Sequence, residues 1–167
     1  MKLGKYVVIN ECEKRDIFLK YINCLHLPII DYVAIGVQNT VNNTSASLMS
    51  CHNWQAIFKS RELSLHDPVR RTALVCKSNF FSFDEIDFYD TSGKEVMRQR
   101  RLHDLNGGLV FVDRRLGHNF MLTLATGYKD FSAHKFYLNN NVAIKKIFND
   151  LKQIISLSDI KFMEEPT

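Results

Sequence analysis

Along this chain the apolar positions change period from stretch to stretch, and the changes mark out its elements. From Glu11 to Leu27, Ile17, Tyr21, Cys24 and Leu25 fall at helical spacing with Lys14, Arg15 and Lys20 among them, which predicts an amphipathic helix that Pro28 stops. Ile29 to Val37 (IIDYVAIGV) is β-rich, and a strand there puts Tyr32, Ala34 and Gly36 on one face. Those small residues either floor a cavity or receive a large side chain from a covering helix. Asn39 to Thr44 carries turn residues, and Ser45 to Cys51 returns as an antiparallel strand.

The hairpin delivers the chain into Asn53 to Val69 (NWQAIFKSRELSLHDPV), which reads as helix, short turn and capped helix. Trp54 and Phe58 are four apart and stack on one helical face. Asp67 precedes Pro68, a good N-cap before a residue suited to the first helical turn, so a helix is expected from Pro68 to Cys76. Ser78 to Phe88 reads as an aromatic loop, its Phe80, Phe81, Phe83 and Phe88 folding over a core or a pocket as a lid. Thr91 to Leu105 is expected as a helix capped by Thr91 or Ser92, with Val96 and Met97 inward and the arginines outward.

Asn106-Gly107-Gly108 ends that helix, one glycine supplying a left-handed cap and the next a close entry into a strand. Leu109 to Asp113 and Asn119 to Thr126 follow as strands, joined by a turn holding Arg114, Arg115 and Gly117. In the second strand Thr123 is the hydroxyl on the face it shares with Met121 and Ala125, serving as a strand former or as a ligand contact. Asn139 to Leu157 has the strongest amphipathic pattern, with Ile144, Ile147, Phe148, Leu151, Ile154 and Ile155 at helical spacing. It covers the sheet or pairs with a copy of itself.

At 167 residues, 46% hydrophobic and 24% charged, the chain suits one ordinary globular domain. Cys12, Cys24, Cys51 and Cys76 make no CxxC pair, against a zinc knuckle or a dithiol redox motif, and no cofactor is expected. The apolar patch near the N-terminus is too short for a secretory signal or a membrane span, so the reducing cytoplasm is the expected compartment. A net charge of +4 comes largely from Lys94, Arg98, Arg100 and Arg101 in one helical run, with Arg114 and Arg115 beyond it. A solvated helix face accounts for such a run, and an acidic partner or nucleic acid is the other use of it. No zinc-finger or helix-turn-helix pattern accompanies it, so direct DNA reading is not expected.

The chemistry with most promise lies in Trp54 and Asp67. An indole N–H only donates and a carboxylate only accepts, so the two together can clamp a ligand carrying both a carbonyl and an amide N–H. The same residues are also satisfied by a core tryptophan and a plain helix cap.

NW…F…DPV, the FFSF segment, LNGGLVFV and MLTLAT, in this order, resemble the autoinducer-binding domain of LuxR-type quorum-sensing regulators, whose W-x3-Y-x8-DP signature the Trp54-to-Asp67 spacing fits without a gap. The resemblance covers most of the chain. It implies an α/β fold of the PAS/GAF-like kind, an α-β-α sandwich with a central antiparallel sheet of about five strands between helices. It implies that Trp54 donates to the lactone carbonyl of an acyl-homoserine lactone and that Asp67 accepts from its amide. Phe58 stands where the family commonly has a tyrosine, and Phe83 near a pocket tryptophan, so two polar groups of the family are missing. Gly108 matches the glycine opening a strand, Thr123 a head-group contact, and Ser50 a variable pocket edge; Tyr32 faces the same site.

The expectation is therefore a non-enzymatic sensor, residues 1–167 forming one ligand-binding domain without a DNA-binding domain, that takes an acyl-homoserine lactone or similar amphiphile and dimerises. The alternative is a ligand-independent interaction protein that heterodimerises with a full-length regulator. No Ser-His-Asp set or local metal-ligand spacing supports an enzyme, and the six histidines are scattered.

Overall fold

The structure, a computed structural model, describes residues 6–8, 11–156 and 160–162, the two short flanking segments by backbone alone. Leu157 and the stretch from Glu164 to Thr167 lie outside the described residues. Strand β1 (Tyr6–Val8) pairs antiparallel with β7 (Ile160–Phe162), an arrangement the alternation pattern does not reveal. Between them run α1 (Glu11–Asn23), β2 (Tyr32–Asn39), β3 (Ser45–Met49), α2 (His52–Ser60), α3 (Pro68–Val75), β4 (Phe80–Ser82), α4 (Thr91–Leu102), β5 (Gly107–Arg115), β6 (His118–Thr126) and α5 (Ala133–Ile155).

Five of these strands form an antiparallel sheet in the order β3-β2-β6-β5-β4. Side chains alternate across it, so each face has its own core. On one face Val33, Ile35, Leu109, Phe111, Leu122 and Leu124 pack under α1 and α5, which bring Phe18, Ile144, Ile147 and Leu151. On the other, Tyr32, Ala34, Val110, Val112 and Ala125 meet α2, α3 and α4 through Trp54, Phe58, Val69, Ala73, Val96 and Met97. The molecule is thus an α/β sandwich of helices, sheet and helices.

Several elements differ from their sequence reading. The aromatic stretch after α3 is not a lid loop: Phe80 to Ser82 is the edge strand β4, and its register puts the phenylalanines on opposite faces. Phe80 stacks on Tyr137 of α5 at 4.9 Å between ring centroids, whereas Phe81 and Phe83 enter the other core. A strand thus buries the run by alternation, which a loop cannot do. Helix α4 is capped by Asp90, whose carboxylate accepts from Gly93 N at 2.9 Å, and it ends through Asp104 at φ 57 rather than through a glycine. Gly107 and Gly108 are already strand residues.

Arg114 is strand rather than turn, and its guanidinium donates at 2.7 Å to both Ala73 O and Cys76 O, tying off the carbonyls that α3 leaves unpaired at its C-terminus.

Candidate functional site

The helical layer of α2 and α3 does not close fully on the sheet. A cleft of about 240 Å³ remains, floored by Tyr32, Ala34 and Gly36 of β2, Met121 and Thr123 of β6 and Val112 of β5. Phe58 of α2 and Ala73 and Leu74 of α3 form its roof, and Lys59, Arg70 and Gln38 also line it. The sheet register explains the floor: Ala34 pairs with Thr123 and Gly36 with Met121, so small residues of β2 lie beside Thr123 and Met121 on one face. An added Cβ at Gly36 would meet nothing closer than 3.8 Å, an ordinary van der Waals distance, so a side chain fits there.

At the inner end of the cleft lies a buried polar centre. Asp67 caps α3 by accepting from Val69 N at 3.1 Å through Oδ1, and its Oδ2 accepts from a guanidinium nitrogen of Arg100 at 2.8 Å. Both side chains are almost wholly buried, at 5% and 2% exposure for Arg100 and Asp67. The Arg100 guanidinium also lies over the Trp54 ring, 5.2 Å from its centroid, and 5.8 Å from that of Phe83. These distances are those of cation–π contacts, which strengthen when desolvated. Trp54 is fully buried, tilted against Phe58 and against His103, each at 5.4 Å.

Arg100 Nε has no hydrogen-bond partner among the described residues, and Trp54 Nε1 makes none of full geometry, its indole N–H leaning on the Tyr32 hydroxyl. A buried donor left unpaired costs about 1–3 kcal/mol. The Tyr32 phenol beside them is pushed up from its ordinary pKa, chiefly by burial and further by Asp67, against the opposing influence of Arg100 and Trp54. Tyr32 is therefore a neutral hydroxyl at physiological pH.

The sequence-derived residues fall into two groups. Tyr32, Phe58, Asp67 and Thr123 line the cleft. Trp54 and Phe83 flank Arg100 from behind and do not line it. Ser50 closes the end of the β2–β3 pair, its hydroxyl accepting from Val33 N at 2.9 Å while its own N–H donates to Val33 O. Gly108 is where Phe83 rests on the sheet, since a Cβ there would sit 2.8 Å from both Phe83 Cζ and Leu124 O.

The residue that sequence reasoning missed is Arg100. The expectation that the α4 arginines face outward holds for Arg98 and Arg101 and fails at Arg100. Its signal was present, because Val96 and Met97 point inward and position 100 is four and three residues on, on the same face. Hydrophobicity alone hides a charged residue on a buried stripe. Arg100 compensates the buried Asp67 carboxylate by pairing with it.

Among the described residues no three His, Cys, Asp or Glu side chains gather to hold a metal, and no helix is long and apolar enough to cross a membrane. No family model matches the chain, and no curated protein matches it by sequence. Solved structures do match by shape. The N-acylhomoserine lactone dependent LuxR family transcription factor CepR2 of Burkholderia cenocepacia superposes with a TM-score of 0.60 at 10% identity, over 76% of this chain and 75% of that one. SdiA of Escherichia coli, in complex with octanoyl-rac-glycerol, gives 0.57 at 11% identity over 95% and 73%. The ligand-binding domain of VqsR from Pseudomonas aeruginosa gives 0.58 at 12% identity over 86% of each chain. These proteins are regulators or their ligand-binding domains, and the architecture built above from five antiparallel strands and two helical layers is theirs: the chain has the fold of the LuxR-family autoinducer-binding domains.

Proposed function

We propose that this chain is a ligand-sensing domain of a cytoplasmic regulator, taking a small amphiphile between the sheet and helices α2 and α3 and coupling its binding to folding, dimerisation and transcriptional control. The observation that carries the reading is an apolar cleft ending in a buried polar centre with an unpartnered arginine donor. That combination suits a ligand with an acyl tail and an oxygen-rich head, the general design of small-molecule sites. An acyl-homoserine lactone or a related acyl compound meets it, as do the N-acylhomoserine lactone on which CepR2 depends and the octanoyl-rac-glycerol bound to SdiA. At about 240 Å³ the cleft is below the usual span of roughly 300–1,000 Å³ for ligand pockets, so short acyl chains are preferred. Residues 1–167 act as one domain whose partners are the small molecule and a second regulator chain, with no direct nucleic-acid contact. Leu138 and Val142, a turn apart on α5 and 71% and 79% exposed, offer an apolar strip for such pairing.

The test is a thermal-shift panel of acyl-homoserine lactones and acylglycerols of graded length on the parent and on Gly36→Leu, which fills the cleft and leaves the polar centre intact. A ligand that binds only the folded state raises its melting temperature with dose. A rise in the parent that disappears in the variant supports the sensor. No rise with any compound, on folded and ligand-free parent protein, sinks it.

A second reading rests on Arg100. Because it already compensates Asp67, the polar centre needs no ligand to hold its charge, as suits a partner-binding protein that heterodimerises with a full-length regulator. Unaltered melting across the panel, together with a stable complex with such a regulator, decides for it.

A further inference from the structure

The sensor reading leaves open which side chain meets the ligand's head group, and the arrangement of the polar centre decides between candidates. Trp54 does not line the cleft, whereas Arg100 does, and the guanidinium of Arg100 stacks over the indole. A head group arriving from the cleft therefore reaches the arginine first. One guanidinium nitrogen is committed to Asp67, while Nε, itself buried, has no partner among the described residues. Asp67 in turn accepts from Arg100 and from Val69 N, and the arginine cancels its charge. Two acceptor sites of Asp67 are thus taken and its charge is offset, and on the cleft wall the residue with a donor to spare is the arginine.

We infer that Arg100 is the head-group donor of this site, and that it selects acyl lactones and acyl esters by their acceptor oxygens, the amide N–H contributing little. The inference rests on the sensor reading and deepens it. Asp67 acts on the ligand through Arg100, holding the guanidinium beside Trp54 and Phe83. Thr123 on the cleft floor and the neutral Tyr32 hydroxyl are the other polar groups near the head. A ligand that supplies only acceptors loses nothing here. One whose affinity depends on donating to a bare carboxylate meets a carboxylate already paired with an arginine.

The experiment compares N-butanoyl-homoserine lactone with the ester counterpart in which oxygen replaces the amide N–H, by calorimetric titration of the parent, Arg100→Lys and Trp54→Phe. Lysine keeps the charge opposite Asp67 and removes Nε and the planar fork; phenylalanine keeps a ring under the guanidinium and removes the indole N–H. The expected result is dissociation constants for the two compounds within about threefold of each other in the parent, weakened tenfold or more in Arg100→Lys and within threefold of the parent in Trp54→Phe. An amide bound tenfold or more tighter than its ester overturns the inference and leaves the sensor intact, because Asp67 is then the amide acceptor. So does a tenfold loss in Trp54→Phe. If Arg100→Lys does not fold, the parent's comparison of the two compounds and Trp54→Phe still decide. Binding of neither compound to the folded parent removes the inference together with the sensor reading for acyl lactones.

Discussion

Replacing Arg100 by methionine probes the arginine–aspartate pair most directly. Methionine keeps much of the unbranched stem and can pack against Trp54 and Phe83, so the change is mostly one of charge. Asp67, 2% exposed, is left with Val69 N as its remaining hydrogen-bond partner. Removing one member of a buried pair costs about 3–5 kcal/mol, because the other charge stays in a medium that cannot solvate it. For a chain of this size a kcal/mol moves the melting temperature by about 2–4 °C, so a fall of roughly 6–20 °C is expected. Urea denaturation with a check that the slope is unchanged measures it. Adding Asp67→Ser removes the stranded carboxylate and keeps a hydroxyl to cap α3, and Arg100→Met/Asp67→Ser is expected to return to within about 1 kcal/mol of the parent or to exceed it. If the double variant is as unstable as Arg100→Met alone, the loss comes from packing and the charge argument is wrong.

Three further outcomes follow from geometry elsewhere. Gly108→Ala is expected to cost about 1–3 kcal/mol, since its Cβ meets the fixed carbonyl oxygen of Leu124 at 2.8 Å, while Gly36→Ala, with 3.8 Å of clearance, is expected to change stability by less than about 1 kcal/mol; denaturant midpoints separate them. Arg114→Ala frees the last carbonyls of α3 and is expected to speed hydrogen exchange in α3 more than in α5, and equal speeding in both would refute a local role. Burial alone raises the Asp113 carboxyl, but hydrogen bonds from Lys152 and Arg115 outweigh it and hold its pKa below the ordinary value. A carboxyl depressed in the folded state adds stability above its unfolded pKa, about 3.9, and loses it as pH falls through the folded value. Asp113→Asn is therefore expected to narrow the difference in melting temperature between pH 6 and pH 3, and an unchanged difference counts against the Lys152 bond, which spans 2.6 Å.

Period and punctuation placed most elements within a few residues. Pro68 after Asp67 started α3 where expected, and alternation in β6 assigned Met121, Thr123 and Ala125 to one face, as observed. Errors arose where a local rule met a long-range partner. Phe80 to Ser82 lies in a stretch that reads as a loop, and it became a strand because β5 offered its edge. The reading of α4 placed Arg100 by its charge, and its helical position prevailed. That outcome needed a carboxylate 33 residues away in sequence, brought within 2.8 Å.

The sequence by itself determined the order of helices and strands, the faces they bury, the cap on α3 and the family likeness carried by Trp54, Asp67 and the strand after Gly108, because each of these is set by spacing, turn chemistry or residue type over short distances. Only the tertiary structure decided what the polar centre is. Docking α4 beside α3 paired Asp67 with an arginine, put Trp54 behind that arginine, and left an arginine donor unpaired. Charge compensation depends on distance in space and on burial, and neither is written in the local pattern of a chain.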